Sequence, residues 1–234
     1  MKLYHLFFTI FLLPAILAGQ SPDSTAVIKR LQLGGGFGVM QHDVGFTPSA
    51  NTNQLTGQRY SLNLRYFDNK LVGFQAEVSL TNAGWQETID TLFSSDYERK
   101  ISYAEVLILT QLSIGNGIVQ PMLQAGPYLS IPLSESESIP TEFQVPNSNP
   151  PEYYGLELPS RLNYGAIVGA GLNLELGPIT VQVEGRYLIG FSDLFKTGTT
   201  VASTSRRNGL GGQVGVFWAL SKKTPKASSA SRRN

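Results

Sequence analysis

From Ile179 to Phe191 the chain changes character at every residue. Ile179, Val181, Val183, Gly185, Tyr187, Ile189 and Phe191 alternate with Thr180, Gln182, Glu184, Arg186, Leu188 and Gly190. Side chains that repeat every second residue lie on one face of an extended strand, so this stretch has one apolar face and one face that carries both its charges. The pattern recurs. Tyr60, Leu62, Leu64 and Tyr66 oppose Arg59, Ser61, Asn63 and Arg65, and Val72, Phe74, Ala76, Val78 and Leu80 oppose Gln75, Glu77, Ser79 and Thr81. Five further segments are compatible with it: 31–40, 101–112, 119–131, 162–176 and 209–220. Their second face is rich in glycine, as at Gly34, Gly36 and Gly38, at Gly165, Gly169 and Gly171, and at Gly211 and Gly215. No stretch sustains a 3.6-residue period. The fold expected is all-β, with eight strands of about ten residues.

The gaps between strands alternate in length. Short ones fall at 67–70, 113–117 and 177–178, and long ones at 41–57, 82–100, 132–161 and 192–208. Short turns at one end and long loops at the other describe an up-and-down barrel of the outer-membrane type, with both termini on the short-turn, periplasmic side. A soluble barrel that lines its interior with the apolar face would put charge on the polar face and keep glycine off it. Here that face is Gly, Gln, Asn and Ser with a few charges of both signs. Large residues opposite glycine suit an interior just wide enough for side chains. The apolar face has aromatics near strand ends, at Tyr60, Tyr66, Tyr103 or its neighbours, Tyr164, Phe191 and Trp218, as an interfacial girdle requires. The expected fold is thus an eight-stranded antiparallel transmembrane β-barrel over residues 31–220, monomeric and in contact with membrane lipid.

The ends of the sequence agree with export. Lys2 precedes the apolar run 6–18, which is interrupted by Pro14 and followed by Gly19, Gln20 and Ser21. This reads as a signal peptide over residues 1–20, because a spanning helix needs about 20 apolar residues. Residues 21–30 then form a short periplasmic segment. Residues 221–234 contain five basic residues and no acid, with Ser, Ala and Pro between them, and read as a disordered tail.

The segments 101–133 and 164–195 resemble the PorT-like outer-membrane β-barrel family of Bacteroidota. The shared elements are Tyr103 and Glu105, the hairpin arm with Pro121 and Ala125 to Tyr128, the pair Gly169 and Gly171, and the strand with Glu184, Arg186 and Tyr187. The resemblance covers most of 31–220 and implies an outer-membrane barrel. PorT itself is linked to protein secretion by the type IX system, so the resemblance implies an accessory role in the envelope, with envelope or secretion proteins as partners. The basic tail after Phe217 to Leu220 departs from barrels that stop at an aromatic residue.

Seven charges point inward on this alternation: Arg59, Arg65, Glu77, Glu105, Glu175, Glu184 and Arg186. Inside a barrel a charge persists only when paired or hydrated. They are expected to form a structural network that plugs the lumen, with Glu105 and Glu184 near Arg186 and Glu77 near Arg65; the alternative is a narrow solute channel. Catalysis has little to work with. There is no cysteine, and the only histidines are His5 and His42, of which His42 reads as a loop residue without a triad or metal partner. Glu135, Glu137 and Glu142 could make a carboxylate pair, but a loop with six prolines holds them, and a solvated external segment is the simpler reading. No glycine cluster matches a nucleotide-binding turn. No enzyme activity, cofactor, metal or nucleic acid is expected. The functional readings are a structural or accessory envelope component, a surface adhesin working through its external loops, or the narrow channel.

Overall fold

The computed structural model describes residues 28–47, 51–88, 96–145, 148–158, 162–195 and 203–223. The expected signal peptide and most of the basic tail lie outside the described residues. Eight strands are present: β1 (Ile28–Thr47), β2 (Thr52–Phe67), β3 (Val72–Glu87), β4 (Tyr97–Ser113), β5 (Val119–Ser138), β6 (Asn163–Leu176), β7 (Ile179–Asp193) and β8 (Thr204–Lys223). Each pairs antiparallel with its sequence neighbour, and β1 closes the ring against β8. The barrel is all-β and up-and-down.

Burial alternates along every strand, and in the half of the barrel near the short turns the apolar residues are the exposed ones. Leu62, Val78, Ile108, Val183 and Trp218 face out, while Asn63, Gln75, Gln111, Gln182 and Gln213 are buried. That is the arrangement a lipid-facing belt requires. Interior glycines make room for large neighbours: a Cβ on Gly34 would lie 2.6 Å from the Phe217 ring, and one on Gly165 would lie 2.7 Å from Tyr128. The Leu176 to Ile179 reversal turns on Gly177, whose φ of 61° strains any residue with a side chain.

The strands run longer than the alternation suggests, from 14 to 20 residues. β1 continues to Thr47, β3 to Glu87 and β5 to Ser138, whereas β4 starts at Tyr97 and β8 at Thr204. Much of the four expected long loops is therefore strand. Barrel strands also begin at Ile28 rather than Leu31 and end at Lys223 rather than Leu220.

The physical reason is an inversion of faces. Along β3 the apolar residues are the outward Phe74, Ala76, Val78 and Leu80; past Thr81 they become the inward Ala83 and Trp85, with Asn82 and Gln86 facing out. Along β1, outward Phe37 and Val39 give way to inward Met40, Val44 and Phe46. Strand geometry is continuous through the change, but the apolar positions move from one parity to the other. The upper part of the wall is therefore built like a soluble barrel, wet outside and apolar inside, standing on a lower part built for lipid.

Candidate functional site

The polar inward face of the lower wall builds a charge network across the lumen. Glu77, on β3, accepts from two guanidiniums: Arg59 Nη2 at 2.9 Å from β2, and Arg186 Nη1 and Nη2, each at 2.9 Å, from β7. Arg186 also donates through Nε to Glu184 at 2.9 Å. Glu105, on β4, is held by Arg59, by Arg207 of β8 and by the Thr81 hydroxyl at 3.0 Å. Three guanidiniums thus face three carboxylates, and β2, β3, β4, β7 and β8 are tied together through the middle of the barrel. Every group in it is nearly or wholly buried. Pairing offsets the desolvation that such burial costs, except at Arg207, whose Nε and Nη1 are buried without a hydrogen-bond partner among the described residues.

Of the seven inward charges read from the sequence, Arg59, Glu77, Glu105, Glu184 and Arg186 meet in this network. The expected partners differ in part. Glu105 pairs with Arg59 and Arg207, not Arg186. Among the described residues Arg65 has no carboxylate at bonding distance; it donates to Gln75 at 3.2 Å and to Gln182, and its guanidinium lies 3.5 Å from the centroid of the Phe217 ring. Glu77 is therefore not its partner. Glu175 sits apart near the short-turn end, pairing with Lys29 and accepting from Thr180 at 3.1 Å. The sequence pattern places Arg207 in the 192–208 connector, because the inverted faces hide the start of β8. His42 is likewise a β1 residue, fully buried. Tyr103 does not join the girdle: it is fully buried, with the Arg207 guanidinium 4.4 Å from its ring centroid.

Above the network the mouth is closed by an apolar cluster. Val44, Phe46, Ala83, Trp85, Tyr97, Ile101, Tyr103, Leu194 and Phe195 are buried together. The chain beyond β5 folds back over them, so it is no detached solvated segment: Ile139, Tyr153, Tyr154 and Leu158 pack on the cluster. Tyr154 stacks on Tyr97 with centroids 3.9 Å apart, and Tyr153 stacks on Phe46 at 5.2 Å. Polar contacts fix this strap. Arg99 donates to the carbonyls of Tyr153 and Leu156 and pairs with Glu135 at 3.0 Å and Glu137 at 3.6 Å. Glu137 also accepts from Gly155 N and from the Tyr97 hydroxyl at 2.6 Å. Glu87 accepts from Trp85 Nε1 and from the hydroxyls of both Tyr153 and Tyr154. Burial, and then the Glu87 charge, push the Tyr153 and Tyr154 phenols upward, so both remain proton donors. Glu135 and Glu137 are thus strap anchors of one arginine, while Glu142 lies in a short 3-10 turn, Thr141–Phe143. Among the described residues no group of three or more His, Asp or Glu could hold a metal ion.

No curated protein matches the chain. Among solved structures, Neisserial surface protein A is 12% identical, with 83% of this chain covering 99% of that one at a TM-score of 0.48. Ail, the attachment invasion locus protein of Yersinia pestis, is 15% identical over 81% of this chain and 98% of its own, with a TM-score of 0.43. The outer membrane protein AlkL is 12% identical over 89% and 98%, also at 0.43. A family model described as "Outer membrane protein beta-barrel domain" matches residues 18–196. The chain belongs to the outer membrane protein β-barrel domain family.

Proposed function

We propose that this barrel serves the cell envelope as a structural or accessory component that works by contact, not by conduction or catalysis. It would sit with its termini in the periplasm and its capped end outside. The observation that carries this reading is the doubly closed lumen: a paired charge network fills the middle, and a packed aromatic cluster with its strap closes the mouth. Eight strands leave an interior that side chains fill. The strap's described residues, 139–145 and 148–158, offer a mostly polar surface with Val145 and Leu156 exposed in it at the long-connector end. This favours one second reading, a surface adhesin acting through that end. A place in protein secretion is what the PorT-like resemblance implies.

The two readings separate in a pull-down from envelope extracts using full-length protein and a variant whose residues 141–152 are replaced by a short Gly-Ser linker. An accessory component keeps its envelope partners in the variant, whereas an adhesin loses its ligand. Protease added to intact cells should cut in the long connectors at the capped end and spare the termini. Cleavage at the termini alone would reverse the proposed orientation.

A further inference from the structure

The outer wall of β2 to β5 carries a cavity of about 400 Å3 on the long-connector side. We propose that it binds the uncharged saccharide head group of a glycolipid seated in the surrounding leaflet. The site deepens the contact reading above, since it depends on the capped end lying where such lipids face the wall.

The cavity results from broken registers. The β2/β3 ladder is interrupted between Gln54 and Arg59, and the β4/β5 ladder shifts between Ser102 and Tyr103. Gly57 lets the neighbouring strand in: a Cβ there would lie 1.7 Å from the Asn82 carbonyl oxygen. Such irregularities bend strands and re-aim side chains. Here they leave Thr56, Gln58, Asn82, Ser102, Ser134 and Ser136 around one hollow. Ser102 donates to Asn82 Oδ1 at 2.9 Å, and the hydroxyls of Thr56, Ser134 and Ser136 with the two amide N–H groups remain to donate and accept, which matches the hydroxyls of a sugar ring. The volume falls in the range of small-ligand sites, about 300 to 1,000 Å3.

Two ionic side chains also line the hollow, and both are already engaged. The Lys100 ammonium pairs with Glu98 at 2.5 Å, and Glu135 is held by Arg99 at 3.0 Å. What remains facing outward is polar and neutral, so a hydroxylated head group fits it better than a phosphate.

Its depth points to a lipid. The outward row directly below is Tyr60, Leu80, Ala104 and Ile131, paired strand to strand, and everything outward beneath it on β2 to β4 is apolar apart from Thr110. The apolar outward run goes from Tyr60 to Tyr66 on β2 and from Val72 to Leu80 on β3, up to about the 9 residues that span a bilayer. The polar hollow begins where this belt ends, at the level of the head-group layer. The Tyr60 hydroxyl, at the top of the belt, already donates to Gln58 at 2.9 Å, joining the apolar row to the polar one.

The full chain, reconstituted in nanodiscs of phosphatidylcholine containing digalactosyldiacylglycerol and phosphatidylglycerol in equal minor amounts, tests this. Lipids retained after mild detergent extraction are counted by mass spectrometry. Severalfold enrichment of the galactolipid is expected, lost in the Asn82→Leu, Ser134→Leu double variant and kept in Arg206→Ala, which alters β8 away from the hollow. Free galactobiose at matched concentration should not displace the lipid. Equal retention by wild type and double variant, enrichment of phosphatidylglycerol instead, or displacement by free galactobiose would each overturn the proposal. If the double variant does not fold, backbone amide shifts of Asn82 and Ser102 in the wild type on adding galactolipid decide, and unchanged shifts refute it. Nanodiscs expose both faces, so failure here is distinct from failure of the proposed orientation.

Discussion

Replacing Arg186 by Ala is expected to lower the unfolding free energy by about 3 to 5 kcal/mol, the cost of removing one partner from a buried ion pair. Among the described residues Arg186 alone bridges Glu77 and Glu184, with three hydrogen bonds of 2.9 Å. Its loss leaves Glu77 with Arg59 and the Gln75 amide, and Glu184 with the Gln124 amide. Arg65 supplies the contrast. It is equally buried but bonds only to amides and lies over Phe217, so Arg65→Met, which keeps volume and removes an unpaired charge, should cost much less. Urea unfolding of both variants in detergent micelles measures the difference. Equal losses would mean that the carboxylates are not what Arg186 stabilises.

Truncating Trp85 to Ala should have a comparable effect at the other level of the barrel. Trp85 is completely buried and packs against Phe46, Tyr97 and Phe195, and losing such a side chain costs about 3 to 5 kcal/mol. It also donates to Glu87, the carboxylate that holds both strap tyrosines. The local consequence is a loosened strap, so chymotrypsin should cut after Tyr153 or Tyr154 much faster in the variant than in the wild type. Strand pairing in the lower wall should survive, visible as retained heat-modifiable migration. A variant as protease-resistant as the wild type would show that the strap is held without the aromatic cluster.

How far the sequence reveals this molecule changes with height along the wall. Where lipid meets the outside, alternation such as that of Ile179 to Phe191 gives the strand, its faces and its inward charges, and five of the seven expected charges meet as a network. Above that level the parity of the apolar residues switches, at Thr81 in β3 and after Val39 in β1, so a continuous strand looks like the end of one. Arg207, Arg99, His42 and Glu87 were hidden for that reason. A search for an apolar run that resumes on the opposite parity, as in Ala83 and Trp85 or Val44 and Phe46, would have found the upper wall. Pairings needed three dimensions. Alternation places Glu77 and Arg65 on the same inward face but cannot say that Glu77 reaches Arg186 across the lumen while Arg65 turns to Phe217. Glu175 faces inward as expected, yet its position near a strand end gives it to Lys29.

The central claim is a barrel closed twice, by charge pairing in the middle and by aromatic packing at the mouth. Single-channel recording of the refolded full chain in planar bilayers tests it most directly, with folding of the same sample established by heat-modifiable migration on a detergent gel. The closed lumen predicts current at the protein-free baseline under applied voltage, for the wild type and for Arg186→Ala, whose aromatic mouth is intact. Reproducible unitary openings from wild-type protein would contradict it.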